Sequence, residues 1–221
     1  MIVNIGDKMR TKDKAKIKQL AEQRRNEILD AASHVFSKHG FIKTTIDQVA
    51  SHAGLGKGTI YQYFKSKNEL FLSVGERGMD RLKDSVLMVI EKEKDPINRI
   101  EKAIRAYLSF FEQNSNMAAI LMQEQSVFKK KVQKRYFEHY YGHINKTREI
   151  FKTAISQGLI KDINVDKAIS ILTSMLNGLV YMWHAEGMKY SLTDKIPMVL
   201  KIFFTGTIKD DKRRQKYEKT K

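Results

Sequence analysis

Proline occurs only twice in 221 residues, at Pro96 and Pro197, and the long stretches around them carry apolar residues at a helical spacing. Proline is the strongest single breaker of an α-helix, so its scarcity favours a mostly helical chain. Each proline follows an aspartate or lies within a few residues of one, which suits the first turns of helices. Between Ile97 and Phe111 the apolar residues are Ile97, Ile100, Ile104, Tyr107, Leu108 and Phe111, a spacing near 3.6 that marks one buried face. The stripe recurs at Val132, Tyr136, Tyr140, Ile144, Phe151 and Ile155, and again at Ile196, Val199, Leu200, Phe203, Phe204 and Ile208. No segment alternates as a strand ladder would. The pattern predicts an all-α fold of about nine helices. Their expected spans are Lys14–Lys38, Ile46–Ala53, Lys57–Phe64, Lys67–Glu93, Pro96–Glu112, Asn116–Gln123, Phe128–Gln157, Val165–Ala185 and Asp194–Ile208.

Charge narrows the partners. Lys and Arg number 41 against 25 Asp and Glu, a net charge of +16, which points to a polyanion such as nucleic acid, an anionic membrane or a phosphorylated ligand. The absence of cysteine excludes disulfides, thiolate catalysis and Cys-ligated zinc, and suits a reducing, cytoplasmic setting. The N-terminus MIVNIGDKMRTKDKAK has no long apolar core of the kind a secretory signal needs. The span Ala168–Ala185 carries no formal charge with His184 neutral, but Ser170, Thr173, Ser174, Asn177 and Gly178 lie along it. It reads as a helix buried on most of its faces and not as a membrane span.

The stretch GLGKGTIYQYFKSK from Gly54 to Lys67 sets three lysines and three aromatic residues among three glycines. Just before it, Thr45-Ile46-Asp47-Gln48 has the form of a capping box and starts a short helix. Gly54 supplies a tight turn, and Lys57 opens a second short helix. Ile60 and Phe64, four apart, face inward, leaving Lys57, Gly58, Thr59, Tyr61, Gln62 and Tyr63 turned outward. That is a helix-turn-helix, whose second helix enters the major groove. There Lys57 has the donors for guanine N7 and O6, Gly58 allows close approach, Thr59 suits a phosphate or a thymine methyl, and Gln62 suits an adenine edge. Tyr61 and Tyr63 suit phosphates beside the groove.

The run ILDAASHVFSKHGFIKTTIDQVASHAGLGKGTIYQYFKSKNELF closely resembles the DNA-binding domain of TetR-type transcriptional regulators. The resemblance rests on Gly40-Phe41, Thr44-Thr45, Gly54, Lys57-Gly58-Thr59, Tyr61 and Tyr63-Phe64-Lys65. It implies that Thr44, Thr45, Tyr61, Tyr63 and Lys67 hold phosphates, while Lys57, Gly58, Thr59 and Gln62 lie nearest the bases. One departure is Gly56, where the family often has Ser: a glycine still serves as an N-cap, but a side-chain contact is lost. The implied organisation is a basic N-terminal arm (1–23), a helix-turn-helix domain (24–67), a helical ligand-binding and dimerisation domain (68–208) and a basic tail (209–221).

By the same resemblance the last two helices pair with those of a second subunit, through Ile169, Leu172, Leu176, Leu179 and Val180 on one and Ile196, Val199, Leu200, Phe203 and Phe204 on the other. A homodimer reads a roughly palindromic double-stranded operator. The competing reading is that these residues complete a monomer core. An inducer pocket is implied among the helices from Lys67 to Ala185, with candidates Tyr107, Phe110, Phe111, Met117, Leu121, Met122, Phe137, Tyr140, Tyr141, Ile144 and Trp183, most of them ordinary core.

Other features carry less. His139 and His143 are four apart, but Tyr140 stands where a zinc protease has Glu, so no metal is implied. The run Lys129–Arg135 reads first as a solvated helix start, and otherwise as a magnet for an anionic inducer such as an acyl-coenzyme A. Lys8, Arg10, Lys12, Lys14, Lys16 and Lys18 are candidates for DNA phosphates or a minor groove. No phosphate-cradling loop or nucleophile–base grouping suggests an enzyme or a cofactor. The expected function is a ligand-responsive transcriptional repressor; the alternative is an architectural protein that binds DNA without sequence preference.

Overall fold

The computed structural model describes the backbone of residues 5–127 and 144–207, and the side chains of 14–124 and 144–207. Among these residues there are nine α-helices and a single 3-10 turn: α1 (Ile5–Lys43), α2 (Ile46–Ala53), α3 (Lys57–Tyr63), α4 (Lys67–Glu91), α5 (Pro96–Gln113), α6 (Ser115–Val127), α7 (144–156 as described), α8 (Val165–Ala185), the turn Leu192–Lys195, and α9 (Ile196–Thr207). The chain divides into two compact units, Met1–Glu76 and Arg77–Lys221. No described helix is long and apolar enough to cross a membrane.

Local sequence accounts for most helix ends. The Thr45 side chain accepts from the Gln48 amide while the Gln48 side chain accepts from the Thr45 amide, so both free donors at the start of α2 are satisfied. Gly54 closes α2 in the left-handed region at φ 67, where a side chain would be strained. Asp95 caps α5 by accepting from the Ile97 and Asn98 amides, with Pro96 in the first turn. Asn164 caps α8 through the Lys167 amide.

Two helix starts differ from expectation. The segment 5–23, read as an arm, continues α1 without a break: it holds no proline and its Ala, Lys, Gln and Leu favour helix. Among the described side chains of α1, those of 14–27 are exposed and burial begins at Ile28. Gly40, at φ 77 and ψ 156, kinks the last turn. The final helix does not begin at Asp194; Leu192–Lys195 forms a 3-10 turn and α9 starts at Ile196.

In the first unit, Ile28, Leu29 and Phe36 of α1 pack with Val49, Ile60, Phe64, Leu70 and Phe71, all buried. The Phe36 and Phe71 rings meet edge to face at 4.9 Å. Burying each such ring contributes about 1.5–3 kcal/mol. In the second unit the core holds Ile104, Leu108, Phe111, Ile120, Phe151 and Phe204. Glu112 of α5 anchors the 3-10 turn: its carboxylate accepts from Ser191 Oγ at 2.5 Å and Thr193 Oγ1 at 2.8 Å. Burial alone would raise the Glu112 pKa, but these hydroxyls and the Leu192 and Thr193 amides outweigh it and hold the group below its ordinary value.

Candidate nucleic-acid interface and ligand cavity

The turn Gly54–Gly56 sets α3 against α2, with Ile60 fully buried beneath it. With that residue turned in, the sequence between Lys57 and Tyr63 presents Lys57, Gly58, Tyr61 and Gln62 to solvent, and Thr59 and Tyr63 half-buried. A Cβ added at Gly56 or Gly58 would meet nothing within 4 Å, so neither glycine is demanded by packing in the free protein. Lys57 Nζ donates to Asp47 Oδ2 at 2.8 Å, which raises the lysine pKa first through that hydrogen bond and then through the carboxylate charge. Thr45 is exposed, and its hydroxyl accepts from the Gln48 amide with its own hydrogen left for another acceptor.

Two of the residues that the resemblance assigned to phosphates are occupied elsewhere. Thr44 is buried, and its hydroxyl donates to the Gly40 carbonyl at 2.8 Å. Lys67 Nζ donates to the carbonyls of Phe41 at 2.9 Å, Ile42 at 3.4 Å and Thr44 at 2.9 Å, and lies 4.5 Å from the centre of the Phe41 ring. An ammonium has three hydrogens, and here each has a backbone acceptor. Lys67 therefore ties the end of α1 to the start of α4, closing off carbonyls that the helix end leaves unpaired.

The second unit holds a cavity of about 200 Å³ between α4, α5, α7 and α8. Its wall is mainly aliphatic, with Leu82, Val86, Ile100, Ile104, Ile150 and Leu172 among the lining residues. Arg99 Nε donates to the Ile90 carbonyl at 3.0 Å across the short 92–95 turn, tying the start of α5 to the end of α4. The lining also includes the charged residues Asp80, Lys83, Arg99 and Lys146, with Arg99 and Lys146 bonded to Ile90 and Glu91 at the end of α4. Lys146 pairs with Glu91, and that hydrogen bond, followed by the lysine's charge, lowers the glutamate's pKa. Tyr107 Oη donates to Asn177 Oδ1 at 2.5 Å.

Of the predicted pocket residues, Tyr107 and Ile144 line this cavity. Phe110, Phe111 and Met117 are buried core away from it, and Leu121 and Met122 are half-buried. Trp183 is buried with its Nε1 donating to the Tyr190 carbonyl at 2.8 Å. Phe137, Tyr140, Tyr141, the His139–His143 pair and the run Lys129–Arg135 lie outside the described residues. Among the described residues no group of three His, Cys, Asp or Glu is placed to hold a metal.

The predicted dimer contacts are not a free surface. Ile169, Leu172, Leu176, Val180, Ile196, Val199, Leu200, Phe203 and Phe204 are buried within the single chain, and Leu179 is half-buried. Ile169, Leu172 and Leu176 line the cavity. The apolar residues that α8 and α9 do expose are Ile171 (68 %), Tyr181 (56 %), Met182, Met198 and Ile202 (58 %). These exposed residues lie on other faces of α8 and α9 than the residues named above.

Comparison with known proteins bears on both units. The profile described as bacterial regulatory proteins, tetR family, matches residues 28–74, and that of the tetracyclin repressor-like C-terminal domain matches residues 93–204. The transcriptional activator FasR of Mycolicibacterium smegmatis is 36% identical over 94 residues, 42% of this chain and 43% of FasR, so the match spans under half of that relative's length. The fatty acid metabolism regulator protein of Bacillus subtilis is 24% identical over 181 residues, covering 81% of this chain and 93% of that protein. The crystal structure of the Bacillus subtilis regulator FadR in complex with stearoyl-CoA superimposes with a TM-score of 0.75 at 23% identity, over 81% of this chain and 97% of that one. With both units matched and the helix-turn-helix in place, the chain belongs to the tetR family of bacterial regulatory proteins and is a DNA-binding transcriptional regulator.

Proposed function

We propose that the protein is a homodimeric repressor that leaves a palindromic operator when an amphiphile with a long apolar chain and an anionic head fills its cavity. The observation that carries this reading is the lining of the cavity: a largely aliphatic wall with the cations Lys83, Arg99 and Lys146 on it, the last two bonded beside the end of α4 at the Ile90 carbonyl and Glu91. The aliphatic part of such a wall gains by burying methylene groups. The stearoyl-CoA held by the Bacillus subtilis regulator has this chemistry, which supports a fatty acyl thioester as the class. At about 200 Å³ the cavity is smaller than ordinary ligand sites, which run from roughly 300 Å³ upward. A full-length chain enters only as the helices around it rearrange, and a ligand that prefers one arrangement is what a switch requires.

On this reading Lys57, Gly58, Thr59 and Gln62 lie nearest the bases, and Thr45, Tyr61 and Tyr63 hold phosphates. The exposed apolar residues of α8 and α9 pair with those of a second copy. The experiment is titration of the dimer, bound to a duplex that it has itself selected from a random pool, with stearoyl-CoA, stearate and coenzyme A. Release by the first and not by the last supports the proposal. Release by coenzyme A alone would sink the apolar-chain assignment, and tighter binding with the acyl thioester would make the protein a ligand-dependent binder in place of a repressor.

A further inference from the structure

Lys57, the cation of α3 best placed for a guanine edge, is not free in the DNA-free protein. Its Nζ is 2.8 Å from Asp47 Oδ2, an exposed carboxylate in the first turn of α2. The same carboxylate borders a surface depression shared with Lys38, yet it is Lys57 that it binds. Both partners are largely solvent-exposed, so the pair adds little to folding. An acidic side chain beside a nucleic-acid-binding surface opposes phosphate, a cost to DNA binding that its favourable place in the first turn of α2 does not remove.

We propose that Asp47 is a positioning residue for base recognition: it holds the Lys57 ammonium in one place by one hydrogen and leaves the other two for the N7 and O6 acceptors of a guanine. A lysine is otherwise a flexible point charge that serves a phosphate as readily as a base. Held by Asp47, it becomes a directed donor pair, and its swing toward the backbone of random DNA is restrained. The same carboxylate lowers affinity for every duplex through its charge, so Asp47 trades binding strength for discrimination. This inference rests on the assignment of α3 to the major groove, and on Lys57 as a base contact there.

The test compares Asp47→Asn, Asp47→Glu and Lys57→Ala in the full chain. Binding is measured by fluorescence anisotropy, at several salt concentrations, on the duplex selected by the unmodified protein, its single-base-pair variants and a random duplex. Lys57→Ala should lose preference at one base pair by about 5–150-fold, the range of a bidentate contact. Asp47→Asn should lose preference at that same base pair by about fivefold or more, yet bind the random duplex more tightly and with a steeper salt dependence. Asp47→Glu, which keeps the charge and the acceptor, should retain most of the preference. Unchanged thermal melting of Asp47→Asn separates these effects from folding. If Asp47→Asn keeps the full preference that Lys57→Ala loses, the positioning role is overturned while the base contact stands. If Lys57→Ala changes no base pair, both are overturned.

Discussion

Gly78 of α4 lies where Met117 of α6 leaves no room for a side chain: an added Cβ would stand 2.0 Å from Met117 Sδ and 2.4 Å from its Cε. Met117 is itself buried, so the thioether has little space into which to retreat. Gly78→Ala gains about 1 kcal/mol in helix propensity but overpacks the contact, which costs about 1–3 kcal/mol. The expected result is a net loss of up to about 2 kcal/mol in urea unfolding. The loss should shrink or reverse when Gly78→Ala is made on a Met117→Ala background, and a full, additive loss there would show that Met117 is not the cause.

Lys67 offers a sharper discrimination between a phosphate ligand and a structural tie. Its hydrogen bonds to three backbone carbonyls, two of them part-buried, predict that Lys67→Met lowers stability by about 1–2 kcal/mol, because acceptors around the end of α1 lose a charged donor. A residue that served only a phosphate would leave melting unchanged and reduce the salt dependence of DNA binding by about one counterion. Thermal melting without DNA decides between them.

Gly58 should behave in the opposite way. No atom lies within 4 Å of the Cβ it lacks, and it sits inside α3, so Gly58→Ala is expected to stabilise the free protein by about 0.5–1 kcal/mol. DNA affinity should nevertheless fall if the open space above Gly58 is where the duplex approaches. Equal or stronger binding by Gly58→Ala would remove the close-approach role.

Glu93 provides a pH signature. Its carboxylate accepts from Lys102 Nζ at 2.7 Å, the Lys94 amide at 2.8 Å and the Asp95 amide at 3.0 Å, closing the turn between α4 and α5. The Lys102 hydrogen bond, then those from the Asp95 and Lys94 amides, lower its pKa from 4.5 to about 2. A depressed folded-state pKa means that the stabilisation is fully present above the unfolded value and is lost as pH falls toward the folded one. The melting-temperature difference between the unmodified protein and Glu93→Gln should therefore be constant near neutrality, narrow below pH 4.5 and vanish near pH 2. A difference that persists unchanged to the acid end would place its origin in packing and not in the charge.

What could be read from the chain beforehand follows the range of each interaction. The capping box of Thr45 with Gln48, the left-handed Gly54 and the Asp95-Pro96 start of α5 involve neighbours a few residues apart, and the helices they bound match the expected spans closely. For Lys67 and Thr44 the local pattern did not show that their side chains are engaged inside the unit, in the case of Lys67 by carbonyls 23 to 26 residues away. For α8, apolar residues lie on several faces, so periodicity alone did not tell which stripe meets the protomer's own core. Burial settles that Ile169, Leu172 and Leu176 face inward and Ile171 outward. The cavity wall contributed by α4 had no signal of its own, since Leu82, Val86 and Ile90 look like any buried helix face until α5 and α7 stand opposite.

On α8, Leu172 lines the cavity while its neighbour Ile171 is open to water, with less than a helical turn to separate the two surroundings. No layer of intervening structure insulates one surface from the other. A substitution that reshapes the cavity to admit a different molecule therefore presses on the backbone that carries the outer stripe. Divergence in what such a chain recognises and divergence in what it will associate with are, at this helix, constrained to proceed together.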